Sequence, residues 1–165
     1  MQKISTCLWF NGQGEEAAKF YTSIFPNSEM GRVSLYLEEG KKIHGQKPGT
    51  VMTVEFSLNG CKYLALNGGP NFKFSEATSQ IVNCETQKEI DHFWENLSAG
   101  GDPKAQQCGW LKDKYGLSWQ IVPTMMADIF TTKDTEKSNR VMKAMLNMKK
   151  LDIETLKKAG AGTQH

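Results

Sequence analysis

The side chains of this chain that could do chemistry are few and scattered. Glu55 occupies a polar position in an alternating apolar run, Val51 to Leu58, where desolvation would raise the pKa of its carboxyl and suit it to general acid or base catalysis. A structural ion pair is the alternative role for this carboxylate. Cys108 would be a nucleophile only beside a base that lowers its pKa, and the sequence indicates no such base. The three histidines are all expected on the surface: His44, His92 and His165.

Amide and aromatic side chains are the candidates for ligand binding. Asn67 and Gln120 can donate and accept hydrogen bonds to a ligand, although each could equally satisfy buried backbone groups. Phe10 and Phe72 are possible walls of a cavity, whereas most other aromatic residues are expected in the core.

One glycine-rich segment imitates a nucleotide-binding motif. Gly12-Gln-Gly-Glu-Glu-Ala17 fits the pattern G-x-G-x-x-G/A between a strand and a helix. Glu15 and Glu16, however, place two negative charges at the helix start, where a pyrophosphate would have to bind. Further parallel βαβ units are also missing from the pattern, so dinucleotide binding is not expected.

Composition excludes several classes of protein. Of the 165 residues, 39% are hydrophobic and 23% charged, which is ordinary globular usage. Lysines and arginines (20) nearly balance acidic residues (18) without forming a basic stripe, so a nucleic-acid partner is not expected. With no apolar signal core and no membrane-length apolar run, we expect a cytoplasmic protein that does not bind membranes. Four widely separated cysteines predict reduced thiols rather than disulfides or a zinc site.

The elements that must position these residues form a pattern that occurs twice. The first module, residues 1–70, contains a strand from Ile4 to Phe10, a helix from Glu15 to Phe25, and strands at 32–39, 51–58 and 61–66. Asn59-Gly60 predicts a tight type I′ hairpin turn, and residues 40–49 predict a loop.

The second module, residues 71–123, repeats the order of strand, helix and strands. Strands are predicted at 78–82, 107–111 and 117–122, and a helix begins at the capping box Thr86-Gln-Lys-Glu89. Residues 124–165 form a methionine-rich helical tail in which Asp152 caps the last helix. The tail packs either on its own domain or on a second subunit, and the sequence leaves both open.

Alternation along the strands assigns the two faces of the predicted sheets. Val54 and Phe56, together with Leu64 and Leu66, are assigned to the face that helices cover, and Glu55 to the other face. That other face is either solvated or, in a curled sheet, the lining of a cavity. The candidates for this inner face are Thr6, Phe10, Glu55, Asn67, Phe72, Thr78 and Gln120.

Long stretches of the chain resemble the vicinal oxygen chelate superfamily, the glyoxalase and bleomycin-resistance fold, and within it the PhnB-like branch often labelled demethylubiquinone methyltransferase. The matching stretches are Leu8-Trp-Phe-Asn-Gly-Gln-Gly-Glu-Glu-Ala17, Ala65-Leu-Asn-Gly-Gly-Pro70, Cys108-Gly-Trp-Leu-Lys-Asp-Lys-Tyr-Gly-Leu-Ser-Trp-Gln-Ile-Val-Pro123 and Met148-Lys-Lys-Leu-Asp-Ile153. The resemblance implies an α+β fold of paired βαβββ modules that form a curved mixed sheet, followed by C-terminal helices. It also implies a homodimer.

The same resemblance implies where metal-dependent relatives hold their ion. Those positions fall near Thr6, Ala65, Thr78 and Gln120, and none of these side chains replaces the water of a divalent ion well. We therefore expect no metal and no cofactor. The leading hypothesis is a metal-independent protein that binds a small molecule between the curved sheets. The alternative is a methyltransferase or another enzyme acting on a quinone-like or aromatic compound, and the sequence does not decide between binding and catalysis.

Overall fold

The first unit of the protein is a four-stranded mixed sheet with one long helix on one face. A computed structural model describes residues 3–162, which separate into one compact unit up to Lys73 and a second from Phe74. The elements of the first unit are β1 (Thr6–Phe10), α1 (Gly14–Ile24), β2 (Glu29–Leu35), α2 (Lys41–His44), β3 (Val51–Leu58) and β4 (Cys61–Asn67). The strand order is β1-β4-β3-β2, in which β1 runs parallel to β4 and the other pairs are antiparallel.

Small residues let α1 lie close to this sheet. Ala17 and Ala18 are fully buried, and a methyl group added to Gly14 would stand 3.2 Å from the Cβ of Ala65 on β4. Farther along the helix, Tyr21 stacks on Phe56 with ring centroids 6.3 Å apart. The helix therefore covers the face that carries Ala65 and Phe56.

The local signals in the sequence correspond to most, but not all, of the observed elements of this unit. Asn59 and Gly60 both adopt positive φ angles, 46° and 80°, which confirms the predicted turn between β3 and β4. β2 begins and ends earlier than the predicted strand at 32–39, and α2 occupies part of the predicted loop at 40–49.

The second unit has a three-stranded mixed sheet. Its elements are β5 (Ser79–Cys84), α3 (Gln87–Ser98), β6 (Trp110–Lys112), β7 (Ser118–Pro123), α4 (Met125–Thr131), α5 (Thr135–Leu146) and α6 (Ile153–Ala161). The strand order is β5-β7-β6, with β5 parallel to β7. The predicted capping box is confirmed, because Thr86 Oγ1 accepts from the Glu89 amide and the Glu89 carboxylate accepts from the Thr86 amide.

This unit departs from a full repeat of the first in one respect. Between α3 and β6, the chain forms a short 3₁₀ helix, Pro103–Ala105, where the first unit has the edge strand β2. Proline cannot donate to a strand ladder, and the Asp102 side chain accepts from the Lys104 amide, so the local sequence favours a capped turn. The α+β class is confirmed, with two mixed sheets of four and three strands within residues 3–162.

The tail packs within the second unit. Its helices bury one apolar cluster together with Val122 of β7, formed by Met126, Ile129, Val141, Leu151 and Leu156, with Met125, Ala144, Met145 and Met148 against it. Gln87 at the start of α3 donates to the Leu151 carbonyl at 3.1 Å and accepts from the Ile153 amide at 2.9 Å. The predicted cap at Asp152 is confirmed by its bond to the Thr155 amide. Among residues 3–162, no helix combines the length and apolarity that crossing a bilayer requires.

Candidate functional site

The candidate site lies on the face of the first sheet that points away from α1, here called the distal face. Side chains on this face form three rows across β1, β4, β3 and β2 in that order. The rows are Ser5, Lys62, Ser57 and Glu29; Cys7, Leu64, Glu55 and Arg32; and Trp9, Leu66, Thr53 and Ser34. The first row is polar and charged, whereas the next two place apolar groups on β1 and β4 beside polar groups on β3 and β2. The distal face is therefore a mixed surface of the kind that small-molecule sites use.

An ion pair with two hydrogen bonds stands in the second row. Arg32 donates from Nε to Glu55 Oε2 at 3.0 Å and from Nη2 to Glu55 Oε1 at 2.7 Å. A planar guanidinium matches a carboxylate in this two-bond geometry. The hydrogen bond from Arg32 holds the pKa of Glu55 below its ordinary value, with Lys62 adding to the effect, and the same pairing raises the pKa of Arg32.

This pair corrects the prediction that desolvation raises the pKa of Glu55. The Glu55 side chain is 43% exposed and bound to a cation, so the shift runs in the opposite direction. A carboxylate in this state is a poor proton donor near neutral pH, and the alternative role in a structural ion pair is the one observed.

A cavity of about 400 Å³ opens over the first two rows. Its charged lining residues are Glu29, Arg32, Glu55 and Lys62, and Ser5, Ser57 and Leu64 complete much of its wall. Tyr63 also borders it, and its ring stacks on Phe56 at 5.2 Å. Burial raises the pKa of the Tyr63 phenol, so this hydroxyl stays protonated near neutral pH.

An aromatic pair closes the third row. Trp9 is half-buried and meets Phe72 edge-on, with ring centroids 4.9 Å apart, and its indole Nε1 donates to the Gly69 carbonyl at 2.8 Å. A Cβ on Gly68 would lie 2.2 Å from the Trp9 ring, so only glycine allows the indole to rest on this backbone. Phe72 is 65% exposed, and the prediction that it can form a wall beside a ligand stands as a prediction.

Three other predicted residues of the first unit do not belong to the distal face. Phe10 is opposite Asn67, Thr6 is opposite Tyr63, and both pairs share the parity of Ala65, the face that α1 covers. Phe10 and Asn67 are 3% and 7% exposed, and Thr6 is exposed near the start of β1. Their assignment to the inner face is therefore wrong.

Asn67 has a structural role instead. Its Oδ1 accepts from the Gly14 amide at 2.8 Å, and its Nδ2 donates to the Val51 carbonyl at 3.1 Å. Gln13 at the N-cap of α1 makes no side-chain capping bond, so an amide from β4 satisfies a donor of the first helical turn. The alternative that this amide serves buried backbone groups is the correct one.

The assignment failed because both parities of β1 and β4 carry large apolar residues. Leu64 and Leu66, assigned to the helix-covered face, lie opposite Glu55 and Thr53 on the distal face. The available signal was the small residue Ala65, because a helix with Gly14 and two alanines on its buried side needs a small partner on the sheet. Sequence reasoning thus missed Trp9, Arg32, Lys62, Leu64 and Leu66 as residues of the site.

In the second unit, Gln120 lies as expected on the less buried side of its sheet. It pairs with Ile81 and Trp110, and its Nε2 donates to Ser79 Oγ at 2.8 Å. Thr78 precedes β5 and is exposed, and by alternation it shares the parity of Gln80, which lies opposite the buried Trp119. Thr78 is therefore not on the face of Gln120.

The remaining nucleophile and acid–base candidates are structural or peripheral. Cys108 has a positive φ of 52° in a turn, its backbone amide donates to the Met148 carbonyl, and Gln107 Nε2 donates to its sulfur at 3.4 Å. His44 packs on Tyr36 and its Nδ1 accepts from the Gln46 amide, and His92 is exposed on α3. His165 lies outside the described residues.

The donor groups of the described chain do not fit a divalent metal. Within residues 3–162, no three His, Cys, Asp or Glu side chains come together in a group that could hold an ion. Of the positions that the resemblance implies, Ala65 is buried against α1 and Gln120 is engaged with Ser79. Glu55 is the one carboxylate in the centre of the distal face, and a guanidinium already occupies both its oxygens. Independence from metals itself stays a prediction.

Comparison with known proteins identifies the family. Residues 2–122 match the family described as 3-demethylubiquinone-9 3-methyltransferase. The chain belongs to this family. The resemblance to the branch labelled demethylubiquinone methyltransferase is thereby confirmed, and α4 to α6 lie beyond the residues that match.

Two solved structures support the fold described for this chain. The chain is 41% identical to the PhnB protein of Bacillus cereus, with a TM-score of 0.63 over 74% of this chain and 100% of that chain. A Pseudomonas aeruginosa protein of 16% identity gives a TM-score of 0.56 over 74% and 98% of the two chains, which supports the fold alone. A glyoxylase/bleomycin resistance protein/dioxygenase domain from a Frankia species is 14% identical, with a TM-score of 0.47 over 74% and 92%. A comparison with curated proteins gives no match.

Proposed function

We propose that this protein binds a small ring-containing molecule on the distal face of its first sheet and does so without a metal ion. The observation that supports the proposal is the contrast, within the second and third rows, between apolar groups on β1 and β4 and polar groups on β3 and β2. Arg32 and Glu55, joined by two hydrogen bonds, form a polar wall, while Leu64, Leu66 and Trp9 offer an apolar surface to a ring. Apolar walls beside a few polar groups are typical of small-molecule sites.

The side chains that line the cavity support the metal-free part of the proposal. A ring can be held by apolar contact with Leu64 and by hydrogen bonds from Lys62 and the serines, and none of these interactions needs an ion. The role of Gln120 in the second unit as a ligand-binding residue stays a prediction.

Binding can be tested with isotope-labelled protein and small ring compounds such as 1,4-naphthoquinone and catechol, with EDTA present throughout. We expect saturable chemical-shift changes at residues 53–57 and 62–66. Leu64→Ser should weaken binding, because Leu64 lines the cavity, whereas Ile43→Ser should not, because Ile43 is exposed on α2 and lies outside the cavity lining. Binding that appears only after a divalent metal is added would refute the proposal.

The alternative is an enzyme, a methyltransferase or another enzyme of quinone-like or aromatic compounds, and the family description is what favours it. Incubation with S-adenosylmethionine and each ring compound, followed by mass spectrometry of the products, distinguishes the two functions. A product heavier by one methyl group would establish the enzyme, and unchanged compounds with saturable binding would support the binding protein.

The homodimer implied by the sequence resemblance belongs to the same proposal. β2 is the edge strand of its sheet, and Val33, Leu35 and Leu37 nearby are 48%, 47% and 71% exposed. Apolar residues along an unpaired edge favour pairing with another chain. Light scattering after size exclusion should give twice 18.5 kDa, and Val33→Lys should give the single mass. A cytoplasmic location stays a prediction.

A further inference from the structure

We infer that the molecule held on the distal face is a zwitterion, with its anionic group toward β1 and its cationic group toward β2. This inference rests on the proposed function, and it specifies the class of ligand. It follows from how four charged side chains of the cavity are paired.

Two of the four charges in the cavity neutralise each other. Arg32 and Glu55 satisfy each other through two hydrogen bonds in the second row. Neither group needs a ligand to compensate its charge. A ligand that competed for Arg32 would leave the Glu55 carboxylate without its partner, which is a cost to binding.

The other two charges are opposite in sign and form no ion pair among the described residues, and Lys62 acts on the Glu55 carboxylate only from a distance. Neither the Lys62 ammonium nor the Glu29 carboxylate forms an ion pair with another side chain of residues 3–162. Both line the same cavity. They are therefore the charged groups that a ligand can engage.

The strand register fixes where these two charges stand. Ser57 on β3 lies opposite Lys62 on β4 on one side and opposite Glu29 on β2 on the other. Neighbouring strands are about 4.8 Å apart, so the two backbones are separated by about 10 Å. Because both side chains are long, the charged ends of Lys62 and Glu29 can lie closer together than their backbones do. The Ser57 hydroxyl lies between them, and Ser5 flanks Lys62 on the side of β1.

This order of charges selects against ligands with a single charge. An anion would be attracted by Lys62 but repelled by Glu29, which lies only one strand farther across the sheet. A cation would be attracted by Glu29 and repelled by Lys62. A neutral ring would partly desolvate both charges without compensating either. A zwitterion compensates both at once, and its ring would extend over Leu64 in the next row.

A matched set of indole compounds tests the inference by isothermal titration calorimetry at low ionic strength. The set is indole, which is neutral, tryptamine, a cation, indole-3-propionate, an anion, and tryptophan, the zwitterion. A parallel phenyl series (toluene, phenethylamine, 3-phenylpropionate and phenylalanine) guards against a cavity that excludes indole. We expect the zwitterion to bind about three- to fivefold more tightly than either singly charged analogue, the scale of one exposed ion pair.

Single variants assign each charge. Lys62→Gln should weaken the zwitterion and the anion about three- to fivefold and leave the cation unchanged. Glu29→Gln should weaken the zwitterion and the cation and leave the anion unchanged. The double exchange of Lys62→Glu with Glu29→Lys should restore the preference for the zwitterion. Lys47→Gln and Glu39→Gln, both exposed and outside the cavity, are the controls.

The outcomes separate the two proposals. If rings bind but the zwitterion has no advantage, or if its advantage survives in the single variants, the inference is refuted and the proposed function stands. If neither series binds while the wild-type protein remains folded, both fall.

Discussion

Replacing Asn67 by alanine should destabilise the first unit by about 1.5–4 kcal/mol. The change removes the acceptor for the Gly14 amide and the donor for the Val51 carbonyl, at 2.8 and 3.1 Å. Gly14 and Asn67 are buried, so the orphaned amide costs about 1–3 kcal/mol, and the partly buried carbonyl adds about 0.5–1 kcal/mol.

The assay is urea unfolding followed by far-ultraviolet circular dichroism, with hydrogen exchange read by mass spectrometry. Exchange should accelerate in a peptide that covers the start of α1, because the first turn loses its acceptor. Asn96→Ala is the matched control, since Asn96 is exposed on α3 and its side chain bonds only within its own helix. That variant should change the free energy of unfolding by less than about 0.5 kcal/mol.

Two results would refute the reasoning. One is an Asn67→Ala protein whose free energy of unfolding lies within about 0.5 kcal/mol of wild type, the range of surface substitutions. The other is a loss of stability with unchanged exchange at the start of α1, which would place the effect elsewhere than at Gly14.

The remaining predictions concern the ion pair, the thiols and the indole. Glu55 has a lowered pKa in the folded protein, so the stability that it contributes is present above its ordinary pKa of 4.5 and is lost as the pH falls through the folded value. In urea titrations, the free energies of unfolding of Glu55→Gln and wild type should therefore converge on acidification. A difference that stays constant with pH would contradict this. Burial raises the pKa of Cys84 to about 12, so iodoacetamide at pH 8 should label the exposed Cys61 and spare Cys84 in the folded protein, as peptide mass spectrometry can check. Gly68→Ala should displace the Trp9 ring, shift its fluorescence and cost about 1–3 kcal/mol in urea unfolding; an unshifted spectrum would show that the contact relaxes without moving the ring.

Signals confined to a few neighbouring residues were sufficient for much of the fold. Asn59-Gly60 correctly predicted the hairpin turn between β3 and β4, and the capping box at Thr86 predicted the start of α3. The apolar stripe after Gly14 predicted α1. Each depends on backbone dihedrals or caps that the local sequence controls directly. The family resemblance then supplied the expectation of two related modules, which local signals do not contain.

The second module was harder to predict at β6. The expected strand at 107–111 begins only at Trp110, because Cys108 and Gly109 adopt positive φ angles and donate their amides to the Met148 and Lys149 carbonyls. Those acceptors lie about 40 residues later in the chain. No property of residues 107–111 alone reveals such a partner.

The sequence by itself determined most of the helices and strands, the family and the poor fit of the residues to a metal, because these depend on residue types and local periodicity. Only the tertiary structure decided which residues of β1 and β4 face α1, since both parities are apolar and the close approach of Gly14 to Ala65 selects one of them. In the same packing, Asn67 lies beneath α1 and Arg32 pairs with Glu55. That ion pair lowers the pKa of the Glu55 carboxyl, whereas desolvation was expected to raise it. Contacts between side chains that are far apart in the chain depend on strand register and helix packing, and those are properties of the folded protein.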